Sequence, residues 1–249
     1  MQCYEKPLIK RGVNRGSESL YYYSNFNCPY VDQAIVSAIN QTYSNIEIIV
    51  VDDGSTMFQE KIKPYFEQIS YIRKENGGTA TALNEGIQRA DGEFIAWLSS
   101  DDLFLPEKVE KQISFMNNTI LSFTNYDYID ENVQVLITWV TPRFSDGKEV
   151  YHAVLEGNPI NGCSVIMKKY LFDKIGFFNP GFRYTHYYDM WFRILLTGHT
   201  IDYLDENLLK FRSHPNSETR NFQPQIQQEI HVIETYYRPV LMGYLKTIQ

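Results

Sequence analysis

Cysteine is scarce in this chain: Cys3, Cys28 and Cys163 are the three among 249 residues. An odd, widely spaced set argues against a disulfide framework and against a zinc site. It fits a reducing, cytoplasmic setting. No apolar run approaches the roughly 20 residues of a membrane span, and no signal-peptide pattern is recognisable. Any membrane contact is therefore expected to be peripheral, at the inner face. A basic surplus is missing too. The 23 Lys and Arg stand against 30 Asp and Glu, for a net charge of -7. That excludes the basic face of a nucleic-acid binder. There is no GxGxxG fingerprint, so a dinucleotide dehydrogenase is not indicated. Internal repeats and low-complexity linkers are also lacking.

What is there suits a packed α/β domain. Hydrophobic residues make up 43% and aromatics 15%, ample for a core, and the 19 tyrosines exceed what a core needs. Tyrosine faces can line sugar sites, because the ring packs on a sugar while the hydroxyl bonds it. Residues 1–18 are polar and basic and are expected to be a flexible N-terminal segment. Residues 19–215 read as one domain and 216–249 as a helical tail interrupted at Pro239.

Val31–Thr42 has apolar residues at helical spacing, and Ile46–Val51 is a β-branched run of the kind that forms a strand buried on both faces. The alternation continues with a strand at Ile69–Arg73, a helix at Thr79–Ala90 and a strand at Glu93–Leu98. Pro106 is well suited to open a further helix. Such alternation predicts a Rossmann-like, mostly parallel sheet flanked by helices. Ligands of such sheets bind outside the carboxyl ends of the strands. Further on, Leu121–Asn125, Val133–Val140, Cys163–Met167 and Leu208–Arg212 read as strands, and Lys169–Ile175 and Asp189–Thr197 as helices. Residues 140–162 and 177–188 read as loops.

Two acid pairs fall at predicted strand ends. Asp52-Asp53-Gly54-Ser55 offers a carboxylate that can accept from the ring N–H of uracil or thymine, with Gly54 allowing a sharp turn. Turn capping by Asp52 or Ser55 is the plainer alternative. Ser99-Ser100-Asp101-Asp102 offers carboxylates for a divalent cation, Mn2+ or Mg2+, that neutralises a diphosphate. Adjacent acids ahead of a helix also act as caps and dipole partners. Between the pairs, Asn76-Gly77-Gly78 precedes a helix whose N-terminus can face an anion.

Together these segments, with Asn40–Tyr43, Ala82–Gly86, Gly92–Leu98, Gly162–Met167 and Asp189–Arg193, resemble the family 2 glycosyltransferases in order and spacing over about residues 19–215. That resemblance implies a GT-A fold, a nucleotide-sugar donor, a glycan or lipid-linked acceptor and inversion at the anomeric carbon. It implies that Asp53 contacts the base, that Asn25 and Asn27 lie near the nucleotide, and that Asp101 binds metal and diphosphate with Asp102 beside it. Three positions depart from the pattern. The loop after the first strand carries Asn25 in place of a threonine. Ser99 stands where an acid is frequent. Tyr187 occupies the position of the usual catalytic acid, two residues before Asp189.

A base must take the proton of the acceptor hydroxyl, and a tyrosine with a pKa near 10 is a poor one. Asp189 and His186 are the neighbours expected to substitute, although Asp189 also reads as a helix cap. Loss of the acid leaves open a binding protein for sugar nucleotides or glycans on the same fold. A metal-dependent phosphohydrolase would need more acidic or histidine ligands than the strand ends supply. The tail reads equally as a docking arm, a homodimer contact or a membrane-facing element.

Overall fold

A computed structural model describes residues 19–116 and 119–245, the side chains of 19–25 excepted. The expectations for residues 1–18 and for Cys3 lie outside the described residues.

β1 (Ser19–Asn25) leads to α1 (Val31–Ile39), which buries Val31, Ala34, Ile35 and Ala38. β2 (Ile46–Asp52), β3 (Ser70–Arg73), α2 (Thr79–Arg89) and β4 (Phe94–Ser99) follow as the alternation predicts. Next come β5 (Leu103–Phe104) and α3 (Lys108–Phe115). Pro106 does not open α3 but lies in the turn ahead of it. β6 (Leu121–Ile129) is longer than its sequence pattern and β7 (Val135–Ile137) shorter.

Residues expected as loop form α4 (Gly147–Glu156), because Asp146 accepts from the N–H groups of Lys148 and Glu149 and Val150, Tyr151 and Val154 form a buried face. β8 (Ile166–Lys168) starts late. Cys163, expected in a strand, instead lies in a single 3₁₀ turn, Gly162–Ser164, where Asn161 Oδ1 caps its N–H at 2.9 Å. α5 (Tyr170–Ile175), α6 (His186–Leu196), β9 (Asp202–Arg212), α7 (Glu218–Asn221) and α8 (Gln223–Leu245) complete the chain.

The sheet runs β3-β2-β1-β4-β8-β6-β9-β5, with β7 added beside β6. β3, β2, β1 and β4 are parallel. β8 runs antiparallel to both β4 and β6. β1 sits between β2 and β4, so the chain order reverses there, and a crevice forms at such a switch point. The carboxyl ends meeting at it are Asn25, Asp52 and Ser99.

Both faces of the sheet are covered. Ile95 and Trp97 of β4 point into a core shared with α2, α4, α6 and α8, while Ala96 and Leu98 point into one shared with α1 and α3. That two-sided burial is why β4 and β2 read as continuous apolar runs. α8 packs on α6 through Ile233 and Leu241, and it continues through Pro239 rather than stopping there. A proline in a helix interior costs about 3 kcal/mol; buried contacts on both sides of it hold α8 together.

Candidate active site

The two acid pairs follow the ends of β2 and β4, the strands on either side of β1, and in each pair the structure distinguishes the members. Asp52 is fully buried. Its Oδ1 accepts from the Ser55 N–H at 2.7 Å and its Oδ2 from the Tyr71 hydroxyl at 2.5 Å. It is the turn cap. Asp53 accepts from the N–H groups of Gly77 at 3.0 Å and Gly78 at 2.8 Å, and from Lys74 Nζ at 2.6 Å. The N-terminal N–H groups ahead of α2, expected to face a ligand anion, thus hold this carboxylate. Gly54 has φ +84°, and a Cβ there would lie 2.9 Å from the Asn76 N atom. Asn76 closes the corner by donating to the Asp53 carbonyl at 2.9 Å.

Asn27 staples the loops after β1 and β2. Its Oδ1 accepts from the N–H groups of Thr56 and Met57 at 2.8 and 2.9 Å, and its own N–H donates to Ser55 Oγ at 3.1 Å. Asn25 closes β1 opposite Asp52.

Asp101 is the open member of the second pair, its side chain 25% exposed, with Oδ2 3.0 Å from His214 Nε2. Asp102 is fully buried. Its Oδ1 accepts from the Arg212 N–H at 2.8 Å, while Oδ2 is buried without a hydrogen-bond partner among the described residues. Burial, then the Asp101 charge, pushes its carboxyl well above the usual range. Asp102 braces the turn through the Arg212 N–H, and its carboxyl is closed to the crevice where that of Asp101 is open.

Arg212, also fully buried, ties this region together. It donates to the carbonyls of Asp101 at 2.7 Å and Glu131 at 2.9 Å and to Gln33 Oε1 at 2.7 Å, and its guanidinium lies 4.4 Å from the Tyr30 ring centre. Tyr30 also packs on the His214 ring. The two buried cysteines hold the Ser99–Ser100 backbone: Cys28 donates to the Ser100 carbonyl at 3.2 Å, and Cys163 Sγ accepts from the Ser99 N–H at 3.3 Å. Burial pushes the Cys28 thiol up to about 11, so it is a packing group. Both cysteines are free thiols.

The start of α6 carries the residues expected to supply a base, and it holds them differently. Tyr187 is wedged in an aromatic stack, 5.8 Å from Trp97 and 6.3 Å from Trp191, both within 12° of parallel. A Cβ on Gly162 would meet its ring at 2.6 Å, so glycine makes the room. His186 is buried, and burial pushes its pKa down to about 4, which leaves it neutral at pH 7. Asp189 is 1% exposed. Its Oδ2 pairs with Arg193 at 2.8 Å and its Oδ1 accepts from the Tyr237 hydroxyl at 3.0 Å. It is not the cap of α6 either. The N-cap position of α6 is Thr185; Glu229 of α8 holds the turn ahead of the helix, accepting from the N–H groups of Arg183, Tyr184 and Thr185 at 2.9, 3.0 and 2.9 Å.

His214, Arg212, Lys74 and Glu229 were not singled out by sequence. The signal for the first two was present: an arginine and a histidine directly after a strand that ends at the ligand edge. Among the described residues, no three acidic, histidine or cysteine side chains cluster as a metal cage. Asp101 and His214 supply two donors, which suits a hard cation that takes its remaining ligands from substrate phosphates and water.

A crevice at the sheet switch point, acids at the ends of the two strands that flank β1 and a mixed second half define a GT-A type fold. Residues 23–176, well over half of the chain, match Glycosyl transferase family 2, and the chain belongs to that family. It is a glycosyltransferase. An uncharacterised glycosyltransferase of Rickettsia typhi is 38% identical over 88% of this chain and 68% of its own length. The Escherichia coli protein WfaP, a UDP-Glc:alpha-D-GlcNAc-diphosphoundecaprenol beta-1,3-glucosyltransferase, is 31% identical over 84% of this chain and 83% of its own. Among solved structures, S. aureus TarS 1-349 in complex with UDP superposes with a TM-score of 0.65 at 17% identity, over 85% of this chain and 65% of that one. The likeness is one of fold, and this chain spans just under two thirds of it.

Proposed function

We propose that this chain moves a sugar from a UDP-sugar to a hydroxyl of a glycan or lipid-linked acceptor, with inversion, in surface polysaccharide or glycan synthesis. A dTDP-sugar offers the same ring N–H to Asp53 and is the alternative donor. The observation that carries the reading is the Asp101–His214 pair at the crevice, braced from below by the buried Asp102 and Arg212. Such a pair fits Mn2+ or Mg2+. A bound cation would neutralise the charge that builds on the departing diphosphate. Asp53 reads the base. Its carboxylate already accepts from Lys74 Nζ, Gly77 and Gly78, so a uracil ring N–H takes the place that Lys74 holds. The lipid-linked acceptor is carried over from WfaP and accords with work at the inner face of a membrane. No helix among the described residues is long and apolar enough to cross one.

The test is calorimetry of UDP binding with and without Mn2+, followed by UDP release from UDP-glucose and UDP-N-acetylglucosamine. Asp101→Asn and His214→Ala are expected to remove most of the Mn2+ dependence, at least about tenfold in Kd, each having removed one of few charged donors. Unchanged Mn2+ dependence in both variants would falsify the assignment. A second reading, a sugar-nucleotide-binding protein without turnover, is favoured by one observation: Tyr187 is locked in a stack at the position of the usual acid. Tight UDP binding with no release of UDP from any donor would establish it.

A further inference from the structure

The hairpin of β6 and β7 exposes a continuous apolar run. Val135, Leu136, Ile137 and Trp139 are between 43% and 57% exposed. No charged residue stands between Glu131 and Arg143 to blunt that edge. Ile137 pairs with Tyr128 and Val135 with Ile129, neighbours in β6 that point to opposite faces, and Leu136 is the extra residue of a bulge between them. Apolar surface therefore projects on both sides of the hairpin. On one side it continues across the sheet: Tyr128 pairs with Phe211 of β9, and their rings meet edge to face with centres 5.3 Å apart.

Trp139 is held outward in a strained conformation. Its φ is +51°, where a bulky side chain is rarely found. Its N–H donates to Asp127 Oδ1 at 3.2 Å, and the Val140 N–H donates to the Tyr126 carbonyl at 3.1 Å. Arg143 lies over the indole ring at 5.1 Å. The other end of the hairpin is tied to the crevice. Arg212, which holds the Asp101 carbonyl, donates to the carbonyls of Asp130 and Glu131 at 3.2 and 2.9 Å. The Tyr30 hydroxyl donates to Glu131 Oε1 at 2.9 Å, and its ring packs on His214.

We propose that β7 and Trp139 dock this enzyme on a lipid bilayer, with the crevice beside the membrane surface. The inference rests on the lipid-linked acceptor proposed above: a sugar joined to a lipid through a diphosphate stays within reach of the bilayer that holds the lipid. A second copy of the chain suits the patch less well. A stable protein interface takes about 800 Å² from each partner, and a three-residue strand with one indole offers a fraction of that. A bilayer needs no matching shape, receives apolar side chains from both faces of the hairpin, and favours tryptophan at its boundary. The nearby acids are engaged: Asp205 pairs with Arg143 at 3.3 Å, Asp127 accepts from Trp139 and Glu131 from Tyr30. Docking is then driven by apolar burial, which salt does not screen.

The experiment is co-sedimentation of the full chain with vesicles of phosphatidylcholine and phosphatidylethanolamine, at low and at high salt. The native chain is expected to pellet with the vesicles in both. Trp97 and Trp191 are buried and Trp139 is the third tryptophan of the chain. A blue shift of tryptophan emission on adding vesicles, with loss of acrylamide quenching, therefore reports Trp139 and needs no variant. Leu136→Thr combined with Ile137→Thr keeps strand-forming residues and is expected to lower the vesicle partition coefficient by about tenfold or more, the worth of two aliphatic side chains. Its Tm and its Kd for UDP with Mn2+ should match the native chain. A native chain left in the supernatant with unshifted emission overturns the docking surface, as does unchanged partition of the variant. A native dimer in sedimentation velocity that the variant loses also overturns it and assigns the patch to a second copy. UDP release from UDP-glucose, read in the same samples without vesicles, separates the two readings. Release without vesicle binding overturns the docking alone, and vesicle binding without release overturns the transfer alone.

Discussion

In the second acid pair Asp102 is buried and Asp101 is open to the crevice. In the first pair both are buried and differ in their partners, Ser55 and Tyr71 for Asp52, and Lys74, Gly77 and Gly78 for Asp53. Asp52 and Asp102 shape the turns; Asp53 and Asp101 carry the polar surface a nucleotide would meet. The same distinction governs Asp189. Its carboxylate neutralises Arg193, whose guanidinium also donates to the Ile175 and Phe177 carbonyls at 2.7 and 3.0 Å. Removing one partner of a buried pair leaves an uncompensated charge, worth about 3–5 kcal/mol. Asp189→Asn should therefore lower stability by about 3 kcal/mol, near 6–12 °C in Tm for a chain of this size. Scanning calorimetry and UDP binding at 20 °C check it, with binding expected to be unchanged. A normal Tm combined with a loss of transfer would return Asp189 to the role of base.

At the scale of elements, α8 is a docking arm for α6. Glu229 accepts from three consecutive N–H groups and from the Thr185 hydroxyl at 2.8 Å. A carboxylate at a helix N-terminus also meets the positive end of the helix dipole. Tyr237 stacks on Phe192 at 5.5 Å and bonds Asp189 at 3.0 Å, so the arm grips α6 along its length. Glu229→Gln trades one acceptor oxygen for a donor that faces N–H groups. The expected cost is about 1–3 kcal/mol. Amide hydrogen exchange should accelerate over 183–189 while the protection of β2 and β4 stays native. Equal protection over 183–185 would show that Glu229 does not hold the turn into α6.

For the molecule as a whole, two buried bases govern how stability follows pH. Lys108 is fully buried between α3 and the sheet, donates to Gln112 Oε1 at 2.5 Å, and burial pushes its pKa from 10.5 down to about 7. Between those two values the unfolded chain binds more protons than the folded one, so stability rises as pH rises. His186 acts in the same sense between about 4 and 6.5. Asp102 opposes them: its raised carboxyl keeps a proton in the folded state, and its contribution falls as pH rises above 3.8. Lys108→Met isolates the lysine. From pH 7 to 9 the native chain should gain about 1.4 kcal/mol per pH unit relative to the variant, one proton's worth. Urea melts at pH 7, 8 and 9 measure it, and parallel curves for the two proteins would rule out a neutral Lys108.

The chain by itself determined the alternation of helices and strands. β2 and β4 are buried on both faces, so nearly every residue in them is apolar, and local patterning suffices to find such strands. It also determined that acid pairs would end them, because the acids follow those runs directly. The sequence did not determine that Asp102 would be closed and Asp101 open. Asp102 is closed by Arg212, 110 residues away, and Asp101 is met by His214, 113 residues away. Nor did it reveal that α6 would start at His186. The turn that leads into it is held by Glu229, more than 40 residues downstream, whereas the sequence pattern contains only local signals. α4 escaped notice although its signals are local, the cap Asp146 and the inward residues Val150, Tyr151 and Val154 at helical spacing. Hydrophobic periodicity is a property of neighbours along the chain and fixes the sheet. The surroundings of Asp101, Asp102 and Asp189 depend on His214, Arg212 and Tyr237, groups that only tertiary packing brings to them.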